Sequence, residues 1–220
     1  AEEEGVFVTI ATGRSVLATR PIWEAMGLRG PSIQFGGAWI VDAPGGTLLD
    51  ARTIAPETAR DVMRFAHEIG VAAQLYLGDT IAVEKPNPYS ERYVAKNGMH
   101  VLVDPEICTH LYDNVPKILA FSEDEAQLVR MFEEAFSDRV HITRSQSTFI
   151  EINDFSASKG QALSKLARWK GIPQAEVAAM GDSFLDIDMI QWDGTGVCMA
   201  DSVPEVLRVS DVVAPDCRND

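Results

Sequence analysis

Basic residues are scarce in this chain: its 220 residues hold 19 lysines and arginines against 33 aspartates and glutamates, a formal net charge of -14. Such a field repels a nucleic-acid backbone and an anionic lipid surface alike, which argues against both as partners. A small anionic substrate is still admissible where local cations or a metal offset the global charge. Cysteine is scarce too. Cys108, Cys198 and Cys217 are odd in number and lack C-x-x-C spacing, which speaks against a disulfide framework and a zinc knuckle and leaves them as reduced bystanders. No apolar run approaches the roughly 20 residues of a membrane span. The opening Ala-Glu-Glu-Glu-Gly has no signal-peptide pattern, so a soluble, cytoplasmic protein is expected. His67, His100, His110 and His141 show no H-x-x-H spacing and no G-x-S-x-G elbow occurs, so zinc hydrolysis and a serine triad lack support.

What is present is a change of texture along the chain. Residues 6–12, "VFVTIAT", read as a strand buried on both faces, followed by helical "SVLATRPIWEAMG" and a second apolar run, "PSIQFGG": the beginning of a parallel α/β unit. "AWIVDAPGGTLLDART" reads as a hairpin. From about residue 55 the pattern changes. "APETARDVMRFAHEIG" has Val62, Phe65, Ala66 and Ile69 at helical spacing. "AAQLYLGDTIAVEK" reads as two strands about Gly78-Asp79, residues 86–116 carry little pattern, and "KILAFS" is a strand. "SEDEAQLVRMFEEAF" is a helix with Ser122 and Glu125 at capping-box spacing, and "VHITRS" and "TFIEIND" are further strands. The parallel texture returns with helical "SKGQALSKLARWKGI", strand "EVAAMGD", helical "LDIDMIQW", strand "TGVCMA", a short helix at Pro204 and the strand "DVVAP". The expected fold is α/β, a Rossmann-like parallel-sheet core over 1–54 and 154–220 interrupted by an inserted α+β cap domain over 55–153.

Ligands of open parallel sheets bind at the carboxyl ends of the strands. Two motifs fall there. Thr12-Gly13-Arg14 offers a hydroxyl, backbone N–H groups and a guanidinium at a turn entering a helix, an anion-binding arrangement. Gly181-Asp182 through Asp186 offers carboxylates four residues apart, an oxygen-only set that suits magnesium. Each has a plain structural alternative: Thr12 as a strand end, Arg14 as a surface residue, Asp182 or Ser183 as a helix cap, Asp186 and Asp188 as acids answering a helix dipole. Lys159 stands at a helix start, where a cation is mildly unfavourable. It is either a solvated lysine or an ammonium placed to meet carboxylates and a phosphate.

The ordered set "TIATGR" (9–14), "SKGQAL" (158–163) and "MGDSFLDIDMI" (180–190), around an insert of about a hundred residues, resembles the haloacid dehalogenase-like (HAD) phosphatases, in particular the Cof-type branch with its large cap. The resemblance implies a magnesium-dependent hydrolase acting on small phosphomonoesters such as sugar phosphates, through a phospho-aspartyl intermediate. Thr12, Gly13 and Arg14 would bind the phosphoryl group, Lys159 would neutralise it, Asp182 would hold Mg2+, and Asp186 would support the metal shell or the lysine. The family's D-x-D-G-T motif, which supplies nucleophile and acid, belongs upstream of "TIATGR" and is not within the sequence given, so the chain by itself is expected to be inactive. Leu185 stands where many members carry Asn, and Gly36 where the family often has Asn. Two other functions share these residues: a non-catalytic domain binding a phosphometabolite or a protein, and a sugar phosphomutase. Lys85, Tyr89, Arg92, Tyr93 and Lys96 fall on the expected cap, where a solvated helix face explains them as well as a lid does.

Overall fold

The computed structural model describes residues 5–146 and 148–216, which divide into two compact units, 1–157 and 158–220. Cys217, one of the expected bystander thiols, lies outside the described residues, whereas Cys108 is half-buried and Cys198 buried, both as free thiols. Among the described residues no helix is long and apolar enough to cross a membrane.

The first unit opens with residues 6–12, which form no regular strand. Only Ala11 makes a parallel bridge, to Ile33, flanked by hydrogen bonds from Ile33 N to Ile10 O and from Thr12 N to Ile33 O. The apolar run expected as a strand is thus held to one neighbour at a few points. Helix α1 (Val16–Met26) follows, with Ser15 as its N-cap. Strands β1 (Gly30–Gln34), β2 (Trp39–Ala43) and β3 (Thr47–Ala51) then form an antiparallel sheet in sequential order, with the expected hairpin between the last two.

Helix α2 (Pro56–Glu68), strands β4 (Ala72–Leu77) and β5 (Thr80–Val83), helix α3 (Pro88–Asn97), strands β6 (His100–Val103) and β7 (Lys117–Phe121), helix α4 (Glu125–Phe136) and strands β8 (Val140–Gln146) and β9 (Phe149–Asp154) complete the unit. Their sheet runs β6-β5-β4-β7-β9-β8. It is antiparallel at every pairing except β5 with β6, which the little-patterned stretch 86–116 concealed. The N-cap of α4 is Asp124 rather than Ser122: the Asp124 carboxylate accepts from Gln127 N at 2.9 Å, while Ser122 Oγ accepts from Asp124 N one turn earlier. A carboxylate is the stronger acceptor for a helix N-terminus, so it takes the capping position.

Strand alternation sends the two faces of this sheet to different surroundings. Leu75, Ile118, Ala120, Ile150 and Ile152 pack with Val62, Ala66, Leu128 and Phe132 of α2 and α4 in an apolar core. The opposite face begins with Tyr76, Leu119 and Phe121 against Phe35, Met99 and Ala157. On that face Tyr89 stacks on Phe121 with ring centroids 4.5 Å apart, and Tyr93 meets Tyr76 edge-on, so these two tyrosines are part of the core wall. Lys85 and Arg92 are exposed, and the side chain of Lys96 lies outside the described residues. The same face also carries Gln74, Lys117, Glu151 and Asn153, all buried.

The second unit is a parallel sheet in the order β10 (Ala178–Gly181), β11 (Thr195–Met199) and β12 (Val212–Ala214), with α5 (Lys159–Lys170) preceding it and α6 (Ile187–Trp192) and α7 (Pro204–Leu207) as crossovers. Ile190, Cys198 and Val206 form its apolar centre. Asp193, directly after α6, accepts from Ala179 N at 2.6 Å, and its other oxygen is buried without a hydrogen-bond partner among the described residues. Burial raises its carboxyl to about 6 from an ordinary 3.8, with a further push from Asp211 and a partial offset from the Ala179 bond. A folded value above the unfolded one means that the contribution to stability is whole below pH 3.8 and is lost as pH rises through about 6. Asp193→Asn is therefore expected to gain on the parent protein in thermal melts as pH is raised from about 4 to 7; melting curves that stay parallel over that range contradict this.

Candidate active site

The site residues expected from the sequence fall in both units: Thr12, Gly13 and Arg14 in the first, Lys159, Asp182 and Asp186 in the second. In the second unit the local geometry is tight. The chain leaves β10 at Gly181, turns through Asp182 and Ser183, and makes one 3-10 turn, Phe184–Asp186, before α6. This turn folds Asp186 back on the strand end so closely that a Cβ on Gly181 would lie 2.3 Å from the Asp186 Cβ. Only glycine is compatible with that approach, which explains the residue before Asp182 in chemical terms.

Asp186 is buried and both of its carboxylate oxygens are engaged. Oδ1 accepts from Lys159 Nζ at 2.6 Å; Oδ2 accepts from Asp182 N (3.2 Å), Ser183 N (3.0 Å) and Ser183 Oγ (2.8 Å). The donors are spread unevenly, one on Oδ1 and three crowded on Oδ2. Burial alone would raise the Asp186 carboxyl, but the charge and hydrogen bond of Lys159, with the Ser183 bonds, outweigh it and hold the group below its ordinary 3.8. Asp186 is thereby both the first-turn acid of the plain alternative, as the N3 partner of the cap Ser183, and the counter-ion of Lys159. Asp182 differs: its side chain is exposed and its backbone O accepts from Val203 N.

Lys159 is the first residue of α5, behind the N-cap Ser158, and is 7% exposed. A cation buried at a helix N-terminus is tolerated here because Asp186 meets it directly. The next residue is held as well: Gly160 N donates to Asp188 Oδ2 at 2.8 Å, and a Cβ on Gly160 would come within 2.6 Å of Asp188 O. Asp188, which the sequence presents as an acid answering a helix dipole, also ties the start of α5 to α6. The i, i+2 spacing from Asp186 places the two acids on different sides of α6, and nothing in the sequence signals that α5 lies against both.

Among the described residues no three His, Cys, Asp or Glu side chains converge as a ready metal site. The donor set nonetheless suits magnesium, which keeps several waters and is commonly held through one or two carboxylates together with a substrate phosphate. Asp182 supplies the exposed carboxylate, whereas the oxygens of Asp186 are committed to Lys159 and the turn.

In the first unit the turn at Thr12-Gly13-Arg14 is defined by its carbonyls. Thr12 O accepts from Gly36 N (3.0 Å), Gly13 O from Lys117 Nζ (2.7 Å) and Arg14 O from Phe35 N (3.1 Å). Arg14 N donates to Thr12 Oγ1 at 3.2 Å. Arg14 is exposed. The N-terminus of α1 is partly satisfied by the protein itself, because Leu17 N donates to Asp79 Oδ1 at 2.9 Å. It is the turn before the helix, rather than the helix end, that remains as the candidate anion site.

A two-unit α/β chain with a parallel sheet, an acidic strand-end turn and a buried lysine defines a class, and comparison with known proteins names it. The family model for haloacid dehalogenase-like hydrolases matches residues 1–220, and the chain belongs to that family. The chain is 25% identical over 221 residues to the putative phosphatase YxeH of Bacillus subtilis, covering 96% of this chain and 80% of the relative. It is likewise 25% identical over 242 residues to the pyridoxal phosphate phosphatase YbhA of Escherichia coli, covering 100% and 85%. A haloacid dehalogenase-like hydrolase structure from B. subtilis superimposes with a TM-score of 0.85 at 24% identity, over 98% of this chain and 85% of that one. The fold is accordingly that of the HAD family, a Rossmann-like parallel-sheet core with an α+β cap, as the sequence led one to expect.

Replacing Asp186 tests the geometry of the second unit. Asp186→Asn leaves Lys159 without its counter-ion and sets an amide NH2 against either Lys159 Nζ or the three donors of the turn, an expected loss of about 3 kcal/mol in urea unfolding at neutral pH. Because the folded carboxyl is depressed, its stabilisation is present above pH 3.8 and is lost as pH falls through the lowered value, so variant and parent should converge in acid. Equal stabilities at neutral pH contradict the assignment.

Proposed function

We propose that the complete protein is a magnesium-dependent phosphatase of small phosphorylated metabolites, sugar phosphates among them, with residues 55–153 as the cap and 1–54 with 154–220 as the catalytic core. The observation that supports this most directly is the buried Lys159–Asp186 pair beside the exposed Asp182 carboxylate at the end of a parallel strand. An ammonium fixed by a carboxylate that is itself fixed by three further donors is a preorganised positive charge, the device that stabilises a phosphoryl group as it transfers.

The roles follow from the chemistry of each group. The Thr12 hydroxyl and the Gly13 N–H bind phosphoryl oxygens, the Arg14 N–H being taken by Thr12 Oγ1, and the exposed Arg14 side chain neutralises an anionic substrate. Lys159 offsets the charge of the transferring group. Asp182 holds Mg2+, with Asp186 one step behind through Lys159 and the turn; the ion when bound neutralises phosphate charge. In this reading an aspartate of the family's D-x-D-G-T motif attacks phosphorus, the ester oxygen leaves with a proton from the motif's second aspartate, and water then cleaves the phospho-aspartate. The names of the relatives, a pyridoxal phosphate phosphatase among them, support a small phosphorylated substrate. Leu185, in place of the family's usual Asn, is the feature that favours the competing function, a domain that binds phosphometabolites without turnover.

The test is phosphate release by the protein expressed from its complete reading frame, over a panel of sugar phosphates, nucleoside monophosphates and pyridoxal phosphate. Release is expected with magnesium and not with EDTA, and Lys159→Met should lower kcat/KM at least about a hundredfold. Ester binding without release from any substrate would favour the non-catalytic function, and absence of D-x-D-G-T from the reading frame would exclude the phospho-aspartyl route.

A further inference from the structure

Lys117 is the first residue of β7, one of the two middle strands of the six-stranded sheet, and it is 1% exposed. Its ammonium donates to Gly13 O at 2.7 Å across 104 residues of sequence, lies 3.4 Å from Glu151 Oε2 on the neighbouring strand β9, and stands 4.9 Å from the centroid of the Tyr76 ring. Glu151 reaches the same turn: a Cβ on Gly13 would be 3.2 Å from its Oε1. Beside them Asn153 donates to Phe35 O and Pro116 O, both at 3.0 Å, bracing Phe35 at a left-handed φ of 51°. A row of buried polar side chains on one sheet face thus grips the two turns at 12–14 and 35–37.

The grip on Gly13 O has a consequence for Thr12. A carbonyl and the following N–H share one rigid peptide plane and point in opposite directions. Drawing the Gly13 carbonyl to Lys117 therefore turns the Arg14 N–H the other way, and there it meets Thr12 Oγ1 at 3.2 Å. With one lone pair of that hydroxyl occupied, its proton is directed away from the turn. We propose that Lys117 is a positioning residue for phosphate recognition: held by Glu151, it fixes the Gly13-Arg14 peptide, and through that peptide the direction of the Thr12 hydroxyl. This rests on the phosphatase reading of the Thr12-Gly13-Arg14 turn.

Lys117→Met alone takes the lysine from the buried Glu151 carboxylate and will lower stability for that reason. The informative variant is Lys117→Met with Glu151→Leu, which removes both charges and the Lys117 hydrogen bond to Gly13 O; exchange of a buried ion pair for apolar groups is often neutral for stability. In the complete protein with magnesium, the double variant should melt near the parent temperature, yet bind inorganic phosphate at least tenfold more weakly and exchange the amides of residues 11–15 at least tenfold faster. A purely structural pair predicts that phosphate affinity and exchange recover together with stability, and that result overturns the proposal. If the double variant does not fold, the parent decides: Arg14, although exposed, should have an amide exchanging at least tenfold more slowly than in an unstructured peptide, and exchange at the peptide rate overturns the proposal. A parent protein without affinity for phosphate overturns the phosphatase reading itself, whereas affinity that persists in the double variant overturns only the role of Lys117.

Discussion

Taking an ammonium out of water costs several kcal/mol unless fixed acceptors surround it, and the middle of a β-sheet offers few. Lys117 meets that constraint with partners from three parts of the chain: the carbonyl of Gly13, the carboxylate of Glu151 and the face of Tyr76. Displacing the carbonyl or the carboxylate weakens the solvation of a buried charge. The sheet, the turn after residues 6–12 and the turn after β1 are consequently locked in one arrangement, and the apolar contacts of Phe35 with Trp39 and Tyr76 seal it from water. Tyr76, buried beneath, is held neutral, its hydroxyl pushed well above the ordinary value mainly by burial.

The second unit solves the same problem in the opposite sense. Lys159 is also a buried cation, but its counter-ion lies on a short turn, not on a strand, and beside it stands the exposed carboxylate of Asp182. The close packing that allows this rests on absent side chains: Gly181 lets Asp186 fold back and Gly160 lets α5 approach Asp188. A glycine at the first turn of a helix is unfavourable by propensity, by roughly 1 kcal/mol. Here the hydrogen bond from its N–H to Asp188 and the proximity of α6 outweigh that preference.

Much of this was legible in the sequence. Periodicity located α2, α4 and α5, the hairpin of β2 and β3, and the parallel strands of the second unit, because in each the apolar pattern and the punctuation agree. The motif around Asp182 and Asp186 stood out as carboxylates at a strand end. The buried polar face did not. In "FIEIND" the alternation of Ile150 and Ile152 with Glu151 and Asn153 is the pattern of a strand with one wet face, and the chemistry of the residues is the same whether water or a turn from 118 residues away covers them. Lys117 was hidden for the same reason. The tie made by Asp188 was hidden because its partner is a backbone N–H on another helix, which leaves no mark on composition or spacing. Residues 6–12 have the composition of a strand, yet composition cannot count the neighbours that a strand requires.

The pairing of Lys117 with Glu151 also bears on how a chain with a net charge of -14 would accept an anion at the first unit. Paired with a carboxylate, the lysine contributes little net charge to the turn above it, so attraction by Lys117 itself is a weak explanation. Orientation is a stronger one. The carbonyls of Thr12, Gly13 and Arg14 are all drawn toward protein donors, namely Gly36 N, Lys117 Nζ and Phe35 N. Each of the three following N–H groups must then point away from those donors, because the peptide plane is rigid. Of the three, Arg14 N donates to Thr12 Oγ1, so the N–H groups of Gly13 and Ser15 supply the partial positive charge that favours an anion without any formal cation. The helix end beside it is already answered by Asp79, so the turn carries this polarity. On this account the ammonium of Lys117 acts on phosphate through the backbone it orients, and neutralising its charge matters less than removing its hydrogen bond.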